Sequence, residues 1–522
     1  MNISGTMNES STISLSVCKR SKKLLSLLGE DLHEKEDVLS LALLSAIAGE
    51  SIFMLGPPGV GKSMIARRLK YAFKGGDSFE YLMNRFSTPD EIFGPISISK
   101  LSKEDKYERL TDNYLPGSSV VFLDEIWKAG PSIQNALLTV LNEKVFRNGE
   151  QEIEVKVHAL LSASNELPAK GEGLEAIWDR FLVRVYVDRI IDEQKFFDMI
   201  TSSKLKLPVV REELKFDEKE VDSWSPIIDS LKVPTEVLSV ISIIRKYIER
   251  YNQSTGPEPE NNIYVSDRRW HKIVRLLRTS AFMNGRQRVD LSDCFLIANC
   301  IWHTPNQIDM VRQWVTRAVQ KYGWSAKYSM ETVKSQLETF ERDVESKTKE
   351  EKELYVEAPT IVDGEYYLIE GFSSMNNRIL ADDFEMMGRG TNELMLYTST
   401  GRNEAFTVGR ISDTEIEVRI GHDYHKYKLK SAKEHKIGRV AMNVSDDVKN
   451  QLNKEADLLL NYLDKISHEI EDVRVSREEG VGKNIFLSEN WRSLIDESLN
   501  DLWKQVLNYK LTTEKLKRSY GG

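Results

Sequence analysis

Through residue ~188, short apolar runs alternate with stretches of helical period. Ser51-Ile52-Phe53-Met54 reads as a buried strand, and behind it Ile65, Leu69 and Phe73 fall four apart, on one helical face. Further strands are predicted at Phe79–Asn84, Ser119–Leu123, Val155–Ser162 and Leu182–Val187. Helices are predicted at Leu15–Leu28, Glu36–Ala48, Pro131–Leu141 and Leu174–Asp179. Strands alternating with helices predict an α/β fold, a parallel sheet covered on both faces, over residues 15–190. Residues 1–14 are polar and Ser/Thr-rich and are expected to be disordered. The stretch from Thr88 to Pro116 is Gly/Pro-broken, charged and long enough to suggest a functional insertion.

The pattern then changes twice. Residues 191–305 read as mostly helical, an all-helical lid. Val333, Leu337, Phe340 and Val344 follow at 4-3-4 spacing, and a similar seam returns at Leu452, Ala456, Leu459, Leu463, Ile466, Ile470 and Val473. Between them, Ile416-Glu417-Val418-Arg419-Ile420 alternates, and turn pairs such as Asp363-Gly364 recur. Residues 353–439 are therefore expected to be a β-rich module inserted into a discontinuous C-terminal helical domain, 306–352 and 440–522. The heptad spacing fits packing within the chain better than an intermolecular coiled coil.

With 522 residues, 40% apolar and 29% charged, the chain has material for several domains and a large core. A net charge of −9 argues against stable nucleic-acid binding, which needs clustered Lys and Arg. Cys18, Cys294 and Cys300 make no disulfide framework, and a reducing, cytoplasmic setting fits them. No run approaches the length of a transmembrane segment. The histidines form no ligand pair, so no protein-bound metal is expected beyond a nucleotide's Mg²⁺.

Candidate chemistry begins at Gly56-Pro57-Pro58-Gly59-Val60-Gly61-Lys62-Ser63, between strand and helix. Glycines let consecutive backbone N–H groups turn around phosphate oxygens, and the helix start adds positive dipole. Lys62 places a cation near the β- and γ-phosphates, and the Ser63 hydroxyl can ligate Mg²⁺. The alternative is a chance Gly/Pro turn, which the flanking strand and helix disfavour. Asp124 ends the third apolar run, at the sheet edge where doubly wound folds bind ligand, and can hold Mg²⁺ with Ser63. Glu125 can polarise a water for in-line attack. Asn165, ending the next strand, could orient that water or merely cap a turn. Arg180 could reach a neighbouring subunit's γ-phosphate or simply pair with Asp179. Arg268 and Arg269 open a lid helix, and either could face the γ-phosphate or solvent.

These motifs resemble the AAA+ ATPases and, within them, the MoxR family. Gly56–Ser63, Val121-Phe122-Leu123-Asp124-Glu125-Ile126-Trp127-Lys128-Ala129, Ala163-Ser164-Asn165-Glu166 and Asp179-Arg180-Phe181 carry the resemblance. Arg85-Phe86-Ser87-Thr88-Pro89 and Tyr264-Val265-Ser266-Asp267-Arg268-Arg269-Trp270 are similar to the regulatory ATPase variant A (RavA) branch. The resemblance implies that Gly56, Gly59, Val60, Gly61, Lys62, Ser63 and Met64 bind ATP/ADP and that Ser63 and Asp124 hold Mg²⁺. It makes Glu125, Asn165, Arg180 and Arg268 the catalytic group: Walker B base, sensor 1, arginine finger and sensor 2. It places His33 over the adenine and makes the Thr88–Gly117 stretch an extra helix-2 insertion. It also implies a homo-hexameric, chaperone-like remodeller with a von Willebrand A-domain partner. RavA-like proteins bind inducible lysine decarboxylase through their β module, a pattern from which residues 355–439 depart. A nucleic-acid motor and a nucleotide-gated scaffold with little turnover are the alternatives.

Overall fold

The structure is a computed structural model describing residues 3–75, 77–169, 173–202, 207–254, 262–372, 375–388, 390–478 and 484–521. The chain divides into two units, Met1–Ser335 with Asn461–Lys510, and Gln336–Leu460 with Leu511–Gly522.

In the first unit the strands are β1 (Ser51–Leu55), β2 (Ser78–Leu82), β3 (Val120–Asp124), β4 (Val145–Asn148), β5 (Gln151–Glu154), β6 (Ala159–Ser164) and β7 (Phe181–Tyr186). Five of them form one sheet in the order β2-β3-β6-β1-β7, parallel throughout. The central strands β1 and β6 are buried along their whole length, as a sheet covered on both faces requires, while edge strand β2 is largely exposed. The register sets Leu55 beside Ser164 and Asp124 beside Ala163. Gly56, Glu125 and Asn165 therefore each follow the carboxyl end of one of three adjacent strands, although Gly56 and Asn165 lie far apart in sequence.

The lid contains the helices Glu218–Ser230, Thr235–Ser254 and Asp267–Met283. The hairpin β4–β5 packs against the insertion. Phe93 stacks on Phe146 with centroids 5.0 Å apart, and Asn148 exchanges two hydrogen bonds with the backbone of Arg109.

The N-terminus departs from expectation. A helix runs Ile3–Gly29, so the described part of the 1–14 stretch is helical rather than disordered. Its buried positions include Ser14, Val17, Cys18, Ser21, Leu24 and Leu28, whereas Leu15 is exposed. The stripe is partly made of small polar residues, and Ser14 satisfies its hydroxyl by donating to Phe282 O at 2.7 Å. A hydroxyl bonded in this way can be buried without penalty, which the polar composition concealed.

In the second unit the strands are β8 (Lys349–Pro359), β9 (Ile361–Val362), β10 (Tyr366–Glu370), β11 (Arg378–Leu380), β12 (Thr391–Tyr397), β13 (Asn403–Arg410), β14 (Glu415–Ile420), β15 (Asp423–Leu429) and β16 (Ser431–Ala441). Strands β10 to β15 pair in sequence, and β10 also pairs with β15, so they close a small antiparallel barrel, with β9 added alongside β10. Ile379, Phe384, Leu396, Val408, Ile416 and Val418 fill it. Strands β8 and β16 form a long antiparallel ribbon, from Lys349–Ala441 to Pro359–Ser431. A helical seam of Phe340, Val344, Leu452, Ala456 and Tyr520 lies within the chain. Among the described residues no helix is long and apolar enough to cross a membrane.

Candidate active site

After β1 the chain turns through Gly59 (φ 80°) and Gly61 (φ 91°) into the helix Lys62–Leu69. Both angles lie in the left-handed region that a side chain disfavours. Gly56 is required for another reason: a Cβ there would lie 2.1 Å from Val187 O. The loop thus winds with its N–H groups toward one space at a helix start, a cradle suited to phosphate.

That space is a cavity of about 370 Å³, lined by Pro58–Met64, Leu82, Asp124, Glu125 and Asn165. Lys62 is buried at its floor. Its ammonium donates to Gly56 O (2.6 Å), Pro57 O (3.0 Å) and Asn165 Oδ1 (2.8 Å). Asn165 Nδ2 in turn donates to Glu125 Oε1 at 2.6 Å. The second Glu125 oxygen accepts from Ser164 Oγ at 3.3 Å and lies 3.4 Å from Lys128 Nζ. Glu125 is buried and adopts φ 53°, ψ 42°, a conformation that is unusual away from glycine and frequent where a site stores strain. Burial lowers the Lys62 pKa, opposed by Asp124 and Glu125. Burial likewise raises the Asp124 carboxyl, while the Glu125 N–H, at 3.0 Å, pulls it back.

A second cavity, about 870 Å³, opens beside the loop. Gly59, Val60, Gly61 and Met64 line both cavities, and the larger one adds Leu32, His33, Lys35, Ile190, Ile191, Phe196 and Met199. Its apolar wall suits a purine ring, and its shared lining places a base beside the phosphates. His33 is therefore brought to the loop. Glu34, which sequence reading passed over, lines neither cavity, but its carboxylate accepts from Ile191 N and Asp192 N, both at 2.8 Å, and ties the His33 loop to the Ile191 loop. Nothing in the sequence marks Glu34, because its partners are backbone groups 157 and 158 residues away.

Arg180 and Arg268 line neither cavity. Arg180 ends the helix Glu175–Arg180 and donates from Nη1 to Ala176 O at 2.6 Å. Burial and then the nearby Arg268 cation lower its pKa, so the two arginines are electrostatic neighbours. Arg268 is exposed, whereas Arg269 is only 2% exposed and spent on main-chain carbonyls.

Residues 19–214 match the family model described as the MoxR domain in the MoxR-vWA-beta-propeller ternary systems. Residues 236–315 match an AAA lid domain. An uncharacterised protein of Methanocaldococcus jannaschii is 33% identical over 304 residues, 58% of this chain and 75% of that one. A second from the same organism is 35% identical over 278 residues, 52% of this chain and 69% of that one. A solved chain from Cytophaga hutchinsonii covers 60% of this chain and 98% of its own length at 17% identity, with a TM-score of 0.46. Fold and loop together define an AAA+ nucleotide-binding core. The chain belongs to the MoxR family of AAA+ ATPases.

Proposed function

We propose that the protein hydrolyses ATP at sites shared between neighbouring subunits of a ring, and uses the cycle to remodel or assemble partner protein complexes. The observation that carries the shared site is the placement of Arg180 and Arg268. They are neighbours, both cationic, and both away from the cavity their own chain builds. Two guanidinium groups close enough for one to disfavour the other's charge favour an anion, and a γ-phosphate presented by another copy supplies one.

Within the cavity Lys62 and the loop N–H groups hold the β- and γ-phosphates, and Asn165 orients the attacking water. Glu125 accepts that water's proton as the bond to the γ-phosphorus forms and the β-γ bridging bond breaks. The hydroxyl of Ser63 and the carboxylate of Asp124, an oxygen-only pair lining the same cavity, fit a hard cation. Mg²⁺ held there would neutralise charge on the phosphates. His33 and Met64 cover the base.

The name of the matched MoxR domain supports a von Willebrand A-domain partner. The barrel is the candidate client-binding module, and the lysine decarboxylase of RavA-like relatives is one client to test there. Lys62→Gln and Glu125→Gln should each lower ATP turnover by more than about 100-fold, with Glu125→Gln still binding ATP. Turnover of Glu125→Gln at the wild-type rate would contradict the reading. Affinity capture with Glu125→Gln, with and without residues 353–439, then identifies the partner; capture of the same proteins by both forms places binding outside the barrel.

A further inference from the structure

Two adjacent arginines open the lid helix Asp267–Met283, and they have opposite surroundings. Arg268 faces outward, while Arg269 is buried with all three of its guanidinium nitrogens hydrogen-bonded. Its Nε donates to Cys300 O at 2.7 Å and its Nη1 to Asp179 O at 2.8 Å. Its Nη2 donates to Phe181 O at 2.9 Å and Leu182 O at 3.0 Å. Three of these four acceptors bracket Arg180.

Burying a guanidinium is costly, and burial lowers the Arg269 pKa from its ordinary value. Among the described residues the carboxylate paired with it is Asp179 Oδ1, 3.6 Å away, with Glu50 acting on it from further off. An apolar side chain would fill the volume at less cost but would take the Arg269 donor from these carbonyls, of which Phe181 O also accepts from Arg184 Nε, at 3.2 Å. The planar fork of arginine is the side chain that can fix several carbonyls at once. The fixed segment is where the helix Glu175–Arg180 turns into β7, the place where helix-end carbonyls lose their own partners.

We infer that Arg269 is a positioning residue for Arg180. It pins the backbone that presents Arg180 to the neighbouring subunit's nucleotide. Because it shares a helical turn with Arg268, it also ties the lid to that segment, so the exposed Arg268 and the half-buried Arg180 are held in one frame. This rests on the proposed shared site. A misplacement of about 1 Å at such a group costs about 100-fold in rate.

Subunit mixing separates this role from a merely structural one. Arg269→Lys alone should lose about 100-fold in kcat with its KM for ATP and its nucleotide affinity unchanged. Lys62→Gln subunits are inactive but carry an intact Arg180 and Arg269. Mixed with them, Arg269→Lys subunits should regain turnover, because their own ATP sites are whole and now receive a properly held arginine. Arg180→Ala mixed with Lys62→Gln is the reference and should recover likewise. If the reference pair fails to recover, the shared-site reading falls and this inference with it. If the reference recovers but neither Arg269→Lys nor Arg269→Gln does, or if Arg269→Lys alone is fully active, Arg269 does not act through Arg180 and the inference is overturned.

Discussion

Asn165 donates to Glu125 at 2.6 Å, and through its other amide atom it accepts from Lys62, so the expected base and the expected phosphate cation are joined by one side chain. Replacing Asn165 with Asp puts two carboxylates at hydrogen-bond distance. Like charges so close share a proton, and the first deprotonation of the pair moves up in pH. Asn165→Asp should therefore shift the acid limb of the kcat–pH profile to higher pH, while Asn165→Ala lowers kcat about 10-fold or more and leaves that limb in place. Coincident acid limbs for wild type and Asn165→Asp would show that Glu125 and residue 165 do not share the rate-limiting proton chemistry.

Asp124 is a half-buried carboxylate, and its partial desolvation raises its pKa. A raised folded-state pKa means that the ionised form is disfavoured in the fold. Stability is then greatest below the unfolded-state pKa and declines as pH rises through the folded-state value. Asp124→Asn removes that penalty. At pH 7 its thermal midpoint should exceed wild type by roughly 1–3 °C, with turnover lost, and the gap should close in acid. Differential scanning calorimetry across pH measures this, and a lower midpoint for Asp124→Asn at pH 7 would run against it.

Glu34, between the cavity-lining His33 and Lys35, ties their loop to Ile191 and Asp192 through two backbone N–H groups, which lower its pKa. Glu34→Gln can accept only one of those bonds well. The expected result is a several-fold rise, about 3- to 10-fold, in KM for ATP with kcat retained. Fluorescent-nucleotide titration separates this from a loss of catalysis. A fall in kcat at constant affinity would place Glu34 with the chemistry instead.

His303 is held neutral with its pKa pushed down to about 3, first by burial and then by the Arg184 cation. Its Nε2 lies 2.9 Å from Tyr264 O, and Arg184 Nη1 is 3.5 Å from its Nδ1. The folded pKa lies below the ordinary imidazole value of 6.5, so the unfolded chain takes up the proton first as pH falls. Stability is complete above that value and is lost progressively down to about 3, at no more than about 1.4 kcal/mol per pH unit for one group. His303→Gln should flatten urea-measured stability across that window. An unchanged slope would assign acid sensitivity to other groups.

Much of the site was legible because its parts carry local signatures. Gly56–Ser63 shows itself through glycine spacing between a strand and a helix. Asp124 and Glu125 show themselves as charges ending an apolar run, and Asn165 as a polar residue ending the next. The parallel sheet followed from alternation alone, and the seam at Leu452, Ala456 and Leu459 from its spacing. What escaped reading has its partners in tertiary structure. Arg269 read as facing either the γ-phosphate or solvent, and it does neither, because the carbonyls it binds, at Asp179, Phe181 and Leu182, are about 90 residues away. Glu34 gave no periodic signal for the same reason. The helix Ile3–Gly29 was read as starting late because its buried face uses Ser14 and Ser21, residues whose polarity mimics solvent exposure until their burial is seen.

The central claim is that each ATP site is whole only when a second subunit brings Arg180 to it. Steady-state ATP turnover per subunit, followed through a dilution series across the assembly transition and paired with sedimentation at the same concentrations, tests this most directly. Specific activity should fall in step with dissociation, and Arg180→Ala should stay low at every concentration while assembling as wild type does. Specific activity that stays constant as the assembly comes apart, or full activity in Arg180→Ala, would contradict it.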